Sequence, residues 1–272
     1  MLILIAGITG LTGEPCARSA LARGHKVRGL ARDPSKIPSD IREKLEGVEI
    51  LHDIRDQQAI ERAGSPAWTP LFFMPALGSY DWRLGPGTHE LYDELQAFAH
   101  HVALSSQIKP IYMFTGAIAE YVFRRSLRDW DPATKTLQYH GHSTFPIRYT
   151  TAADLGNYVI EAISAPDAAD GGYLRVQSFE ASPEDVVGAY NRARDGSVRA
   201  SHKCVGTVED AKAKLDEGRA KFSKRDCWNY MWYVYQYHIP MRTWDYGPVD
   251  VARFPDVKQT SLEDFFRGNP DV

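Results

Sequence analysis

The chain has 272 residues, of which 43% are hydrophobic and 25% are charged, which are ordinary values for a globular protein. This length is enough for one large α/β domain, or for a nucleotide-binding domain that carries a smaller lobe. The formal net charge of −3 lacks the basic excess typical of nucleic-acid binding, so we expect no direct nucleic-acid partner.

The cysteines and the apolar segments indicate where the protein works. Cys16, Cys204 and Cys227 are widely spaced and form no CxxC motif, so neither a disulfide framework nor a zinc site is indicated. The closely spaced histidines lack a matching carboxylate or cysteine cluster, and no metal site is predicted. The apolar run LILIA at the start is far shorter than a signal or membrane segment. We therefore predict a cytoplasmic protein with no membrane partner.

The first half of the chain predicts alternating strands and helices. In chain order, we expect a strand at 2–6, a helix from the glycine turn to about 23, strands at 26–31 and 48–51, a helix at 57–63, a strand at 71–74, a helix at 88–106 and a strand at 111–114. This order indicates a Rossmann-type, doubly wound parallel sheet of the α/β class. Prolines interrupt the pattern between 63 and 82, so the sheet is either abbreviated after its third strand or irregular there.

The second half predicts a mixture of strands and helices. In chain order, we expect a hairpin over 135–151, a helix at 152–163, a strand at 173–176, a helix that starts at the SPED of 182–185 and a closing helix at 261–267. We predict an NADP(H)-binding Rossmann domain at 1–130 and a smaller C-terminal α+β substrate lobe at 131–272. Some segments of the second part are expected to return to the Rossmann sheet.

The stretch GITGLTG, residues 7–13, places glycines between the first strand and the first helix. Gly7 permits a tight turn, Gly10 lets the backbone approach a pyrophosphate, and Gly13 lets helix and strand pack closely. The free N–H groups at the start of the helix attract phosphate, whereas a plain turn would use the glycines for geometry alone. The cofactor-binding residues predicted in this loop are Gly7, Thr9, Gly10, Leu11, Thr12 and Gly13.

The end of the second strand favours NADP(H) over NAD. An acidic residue there would bind the ribose hydroxyls of NAD, but this strand ends at Arg32, whose guanidinium can pair with a 2′-phosphate. Lys36 supplies a second cation, and the neighbouring Asp33 is expected to begin a turn. The alternative is that Arg32 is a solvated charge. Asp53, after the third strand, is expected either to face the adenine or to cap the next helix.

The motifs GITGLTG, ARDPSK and HDIRD together resemble those of the NmrA-like and isoflavone reductase-like atypical short-chain dehydrogenases. The later segments TTAADLGNYVIEAIS, GGYLRVQSFEASPEDVVGAY and FPDVKQTSLEDFF extend the resemblance. It implies a Rossmann domain with a smaller substrate lobe and NADP(H) in the cleft. It also implies one of two roles: reduction of a small, often aromatic compound of secondary metabolism, or redox sensing without turnover.

The sequence departs from this family pattern around the predicted helix at 88–106. Reductases of the family place a lysine acid on this helix, whereas this sequence has Gln96 near the matching position and no lysine between Lys44 and Lys109. The loop before the helix reads SYDW, residues 79–82, where the family has small residues. The strand-helix unit before that loop is shortened.

Candidate proton donors lie on the same helix and in the loop before it. His89, Tyr92 and Gln96 share one helical face, opposite the apolar stripe. This face either points into the cleft, with Tyr92 or His89 as the donor, or lies in solvent. Tyr80 and Asp81 are further candidates, because ligands of such sheets bind at strand-to-helix loops.

The aromatic stretch at 227–246 is expected either to line a pocket for a flat, oxygenated substrate or to pack in a core or a subunit interface, as in a homodimer. We predict an NADP(H)-dependent oxidoreductase that acts on an aromatic or polyketide-like small molecule. The alternatives are a non-catalytic, NADP-binding redox sensor that contacts a regulatory protein partner, and an isomerase or cyclase that retains the cofactor.

Overall fold

The structure, a computed structural model, describes residues 1–51, 73–76, 87–105, 107–124, 129–196, 198–243 and 247–272. The helix predicted at 57–63 and the predicted site residues Asp53, Tyr80 and Asp81 lie outside these ranges. None of the helices within them combines the length and the apolar composition that a bilayer crossing needs.

The elements of the described residues follow the predicted alternation. The strands are β1 (Leu2–Ala6), β2 (Lys26–Ala31), β3 (Gly47–Ile50), β4 (Phe73–Ala76), β5 (Ile111–Phe114), β6 (Ala117–Ile118), β7 (Trp130–Asp131), β8 (Thr136–His140), β9 (Ile147–Thr150), β10 (Gly172–Arg175), β11 (Phe179–Ala181) and β12 (Ser201–Gly206). The helices are α1 (Gly13–Ala22), α2 (Ser39–Arg42), α3 (Glu90–Ser105), α4 (Ala119–Arg124), α5 (Ala152–Ser164), α6 (Pro183–Ala193), α7 (Val208–Lys221), α8 (Met231–His238) and α9 (Leu262–Gly268).

Two parallel sheets carry the doubly wound part of the fold. One has the order β3-β2-β1 and the other the order β4-β5-β10. Each order matches that of one half of a Rossmann-type sheet, which winds outwards in both directions from its middle strands. Helix α1 packs against α5, and the buried aliphatic residues of β1 and β2 form one core with both helices. The α/β fold predicted from the sequence is confirmed.

The strands predicted as a hairpin over 135–151 belong to two different sheets. β8 lies between β7 and β12, and it pairs with β12 in parallel. β9 lies between β6 and β11. The prediction of a hairpin over 135–151 was therefore wrong, because β8 and β9 do not pair with each other: β8 pairs with β7 and β12, and β9 pairs with β6 and β11.

Several helices of the C-terminal half begin in the same way. A serine or threonine at the N-cap accepts a hydrogen bond from the backbone N–H of an aspartate three residues later, which satisfies one of the free donors of the first turn. These pairs are Thr151 with Asp154, Ser182 with Asp185, Thr207 with Asp210 and Ser261 with Asp264. The predicted start of α6 at SPED is confirmed.

Candidate functional site

The loop after β1 has the backbone geometry expected of its glycines. Gly7 has a φ of 72°, and its N–H donates to the carbonyl of Leu30 on β2 at 2.9 Å. The N–H of Gly10 donates back to the carbonyl oxygen of Gly7 at 2.7 Å. A Cβ on Gly13 would lie 2.2 Å from that same oxygen, so any side chain there would displace the start of α1. The start of α1 therefore packs so closely against the loop that only glycine fits at position 13.

The first turn of α1 has free N–H donors. Thr12 occupies the N-cap position, but its side chain makes no capping hydrogen bond. Among the described residues, the N–H groups of Leu11, Thr12 and Gly13 have no acceptor. Thr9, Leu11 and Thr12 are partly exposed, and Gly10 is exposed, so an anion can reach this turn. Free N–H groups and the partial positive charge of a helix start suit a phosphate.

Arg32 follows β2 directly and is exposed, and it makes no hydrogen bond or ion pair within the described part of the chain. Its neighbour Asp33 is committed to the next turn, since its Oδ1 accepts from the N–H and the Oγ of Ser35 at 3.0 and 2.5 Å. These bonds hold the pKa of Asp33 below its usual value. The prediction that Asp33 begins a turn is confirmed, and Arg32 is available to a ligand. Lys36 is exposed in the same turn.

His89 and Tyr92, two predicted proton donors, are buried at the start of α3, where they are 2% and 3% exposed. Their rings lie 4.4 Å apart. Burial lowers the pKa of His89 to about 3 and raises the pKa of Tyr92 well above its usual value. Both side chains are therefore uncharged at neutral pH. The alternative that this face lies in solvent is wrong for these residues, whereas their catalytic role stays a prediction. Gln96 is partly buried.

The aromatic stretch contributes to the burial of this face. Tyr92 belongs to a cluster with Tyr112 and Phe114 of β5 and with Tyr230 and Met231 near the start of α8. An ion pair lies beside it, in which the Glu90 carboxylate meets the guanidinium of Arg219 at 2.7 Å. Packing is thus the observed role of Tyr230, which is 2% exposed, although the neighbouring Trp228 is 57% exposed. Trp244 and Tyr246 lie outside the described residues.

The site residues predicted from the sequence do not include the carboxyl end of β5, which contacts β9. There the carbonyl of Thr115 accepts from the Oγ1 of Thr150 at 2.5 Å. Gly116 has a φ of 64°, and a Cβ on it would lie 2.3 Å from the carbonyl oxygen of Arg148. Ligands of doubly wound sheets bind at this edge. The available signal was a glycine within two residues of the end of a buried strand, a feature that also follows β1.

Comparison with known proteins finds similarity to a family model over the first part of the chain. Residues 3–84 match the NAD dependent epimerase/dehydratase family. A curated relative, the 3-diazoavenalumate denitrifying reductase of Streptomyces sp, is 37% identical over 67 residues, which are 25% of this chain and 20% of that protein. The match therefore spans only a small part of the relative.

Solved structures extend the likeness to the whole chain. The leucoanthocyanidin reductase–NADPH complex from Vitis vinifera has a TM-score of 0.73 at 16% identity, with all of both chains covered. An isoflavone reductase has a TM-score of 0.66 at 16% identity, with 98% of each chain covered. This chain has the isoflavone reductase-like fold. The triphenylmethane reductase of Citrobacter sp., complexed with NADP(H), has a TM-score of 0.69 at 11% identity and covers 98% of this chain and 99% of its own. The resemblance predicted from the sequence is confirmed at the level of the fold.

Proposed function

We propose that this protein is an NADPH-dependent reductase of an aromatic small molecule. The proposal rests on two groups that can bind a ligand. They are the free N–H donors at the start of α1 and the exposed Arg32 after β2. Support comes from the structures with a similar fold, two of which are complexes with NADPH or NADP(H). The predicted substrate lobe, residues 131–272, is proposed to hold the substrate.

The chain's own residues divide the binding of the cofactor between them. The N–H groups of Leu11, Thr12 and Gly13 are proposed to bind the pyrophosphate, and the loop glycines keep side chains out of its path. Arg32, together with Lys36, is proposed to pair with the 2′-phosphate, which NADH lacks. Bound NADPH would supply a hydride.

The shifted pKa values of His89 and Tyr92 favour a particular type of hydride acceptor. His89 and Tyr92 are uncharged at neutral pH, and their shifted pKa values make both poor proton donors there. An acceptor with its own positive charge needs no proton donor, because hydride transfer itself neutralises the charge. We therefore propose electron-poor, cationic aromatic compounds as the first substrates to test. Aryldiazonium ions and triphenylmethane dyes are examples, and the names of two similar proteins mention related groups.

Two measurements test the proposal. Thermal unfolding with each dinucleotide should show a larger stabilisation by NADPH than by NADH, because a ligand stabilises the state that binds it. NADPH absorbance should then fall in the presence of an aryldiazonium salt or a triphenylmethane dye, and fall more slowly with a neutral ketone. Equal stabilisation by the two dinucleotides would contradict the role of Arg32. Faster reduction of the ketone would contradict the proposed substrate type.

A second candidate is an NADP-binding redox sensor that does not turn over. The pKa values of His89 and Tyr92 favour this candidate, because neither of these possible proton donors titrates near neutral pH. Tight binding of NADPH without NADPH oxidation by any cationic or neutral acceptor would support the sensor and exclude the reductase.

A further inference from the structure

A small cleft with a volume of about 60 Å³ opens between β8, β9 and the end of α8. No residue of the glycine loop or of the turn after β2 lines it, so the cleft is separate from the proposed cofactor site, although it lies within the proposed substrate lobe. Its walls are mostly apolar and include Val122, Leu137, Phe145, Ile147, Ile239 and Pro240. Within the described part of the chain, a single carboxylate, that of Asp129, lines this cleft, which we call the Asp129 cleft.

The carboxylate of Asp129 is fixed through one of its oxygens. Its Oδ1 accepts hydrogen bonds from the Nε1 of Trp232 and, at 2.7 Å, from the Nε2 of Gln236. The backbone carbonyl of Asp129 accepts from the N–H of Gln138 at 2.6 Å, which fixes the main chain as well. Oδ2 makes no hydrogen bond to any described residue. One oxygen is therefore used by the fold, and the other is available to a ligand.

The amide of Gln236 has only one orientation that satisfies its neighbours. Its Oε1 accepts from the backbone N–H of His140 at 2.8 Å and lies 3.2 Å from the Nδ1 of that residue. Its NH₂ must therefore face Asp129. Both His140 and Gln236 are buried, at 6% and 7% exposure. Both donors to Oδ1 thus come from α8, and the buried Gln236 is itself fixed by the buried His140 of β8.

Among the described residues, no opposite charge pairs with Asp129. It forms no ion pair with any described residue, and the titratable groups that face it are the phenols of Tyr149 and Tyr235 and the imidazole of His140. Burial raises the pKa of both phenols beyond the physiological range, so they stay neutral. The guanidinium of Arg242 lies 5.6 Å from the ring of Phe145 on the cleft wall and does not pair with Asp129.

We propose that the Asp129 cleft binds a small organic cation, a protonated primary amine with an apolar body, whose ammonium group pairs with Oδ2 of Asp129. A partly buried carboxylate is costly without a partner charge, and an ammonium group supplies both the charge and a hydrogen-bond donor. The aliphatic and aromatic walls of the cleft suit the apolar body. A neutral alcohol would supply the donor but would leave the charge uncompensated.

The first test compares benzylamine with benzyl alcohol by calorimetric titration of the whole protein. Burial raises the pKa of Asp129 to about 7, and the ammonium group binds the ionised form. Benzylamine should therefore bind about tenfold more weakly at about pH 6 than at about pH 8, with release of a proton near neutral pH. Benzyl alcohol should bind more weakly at both. Equal binding of the two probes, pH-independent binding of the amine, or no binding of the amine would overturn the proposal.

The second test uses Asp129→Asn, with Asp131→Asn as the matched control. The new amide oxygen can still accept from Trp232 and Gln236, so the clamp and the fold are expected to survive, which circular dichroism checks. Benzylamine binding should weaken by at least about tenfold, and the proton release should disappear. Asp131, whose carboxylate accepts from Ala133 and Thr134, does not line the cleft, and its variant should bind normally. Unchanged binding by a folded Asp129→Asn protein would refute the assignment, and the pH profile of the natural protein decides if that variant does not fold.

Discussion

Gly156 of α5 lies directly against Pro15 of α1. A Cβ at position 156 would stand 2.6 Å from both the carbonyl carbon and the carbonyl oxygen of Pro15, a separation that atoms do not tolerate. Around this contact, the guanidinium of Arg23 pairs with Glu161 at 2.8 Å, and Ser19 donates to Asn157 at 2.9 Å. Helix α5 therefore fixes the position of the helix that starts at the glycine loop.

Replacing Gly156 with alanine should destabilise the protein by about 1–3 kcal/mol, because the backbone of α1 must move away from the new methyl group. Helix propensity alone would give the opposite sign, a gain of up to about 1 kcal/mol. Denaturant unfolding measures the difference. Gly268→Ala is the control, since a Cβ there meets no atom within 4 Å. A stability of Gly156→Ala equal to or above that of the natural protein would show that the contact has room to relax.

Replacing Arg32 with alanine should weaken NADPH binding by about tenfold or more and leave NADH binding nearly unchanged. The reason is that a charge-assisted bond to a phosphate contributes about 1.5–3 kcal/mol. Fluorescence titration with each dinucleotide measures the selectivity. Lys26→Ala removes a cation from the opposite end of the same strand, where it pairs with Glu46 at 3.1 Å, and should leave both affinities intact. A parallel loss of NADPH affinity in both variants would mean that only net charge matters.

Asp129 should give the protein a stability that falls as the pH rises. Burial raises the pKa of Asp129 in the folded protein to about 7, whereas the unfolded chain releases this proton near the ordinary carboxyl value of about 4. Between these values the folded state holds the extra proton, so its relative stability decreases from about pH 4 to about pH 7. Asp129→Asn should remove this slope from the pH dependence of unfolding, and the exposed Asp264→Asn should not. If the pH dependence of unfolding is unchanged in Asp129→Asn, the carboxylate of Asp129 is better solvated than its burial indicates.

Removing the cation of the partly buried pair between Glu90 and Arg219 should cost about 1–3 kcal/mol of unfolding free energy, because Glu90, whose side chain is 6% exposed, would lose its countercharge but keep the hydrogen bond from Tyr230. Arg219→Met tests this by denaturant unfolding. The matched control, Arg253→Met, breaks an exposed pair with Asp167 and should cost at most about 1 kcal/mol. The double variant Glu90→Gln, Arg219→Met should recover part of the loss. Similar costs for both arginines would show that water reaches Glu90.

The local features of the fold could be predicted from the sequence because neighbouring residues determine them. β1, β2, α1 and α5 begin and end within about two residues of their predicted limits, since glycine turns, caps and apolar periodicity act over a few positions. Strand pairing is different. The alternation of β8 and β9 indicates strands but carries no information about partners, and β12, which pairs with β8, lies more than sixty residues away.

In the candidate site, too, the features set by neighbouring residues could be predicted and those set by distant residues could not. The loop at 7–13 and the turn at Asp33 were predictable from short motifs, whereas the burial of His89 and Tyr92 depends on α8, which follows in sequence only after residue 230. Asp129 gave no signal at all. Its clamp comes from Trp232 and Gln236, and a lone aspartate before a tryptophan has no distinguishing pattern.

The first turn of α1 differs from the first turns of four later helices, and this difference affects how a bound phosphate would act on α1. α5, α6, α7 and α9 each have an N-cap hydroxyl that accepts a hydrogen bond from their first turn, whereas the hydroxyl of Thr12, at the N-cap of α1, makes no such bond. A phosphate bound at residues 11–13 would complete α1 in the way that serine or threonine completes the others. Binding of the cofactor and formation of that first helical turn would then be coupled, so that each stabilises the other.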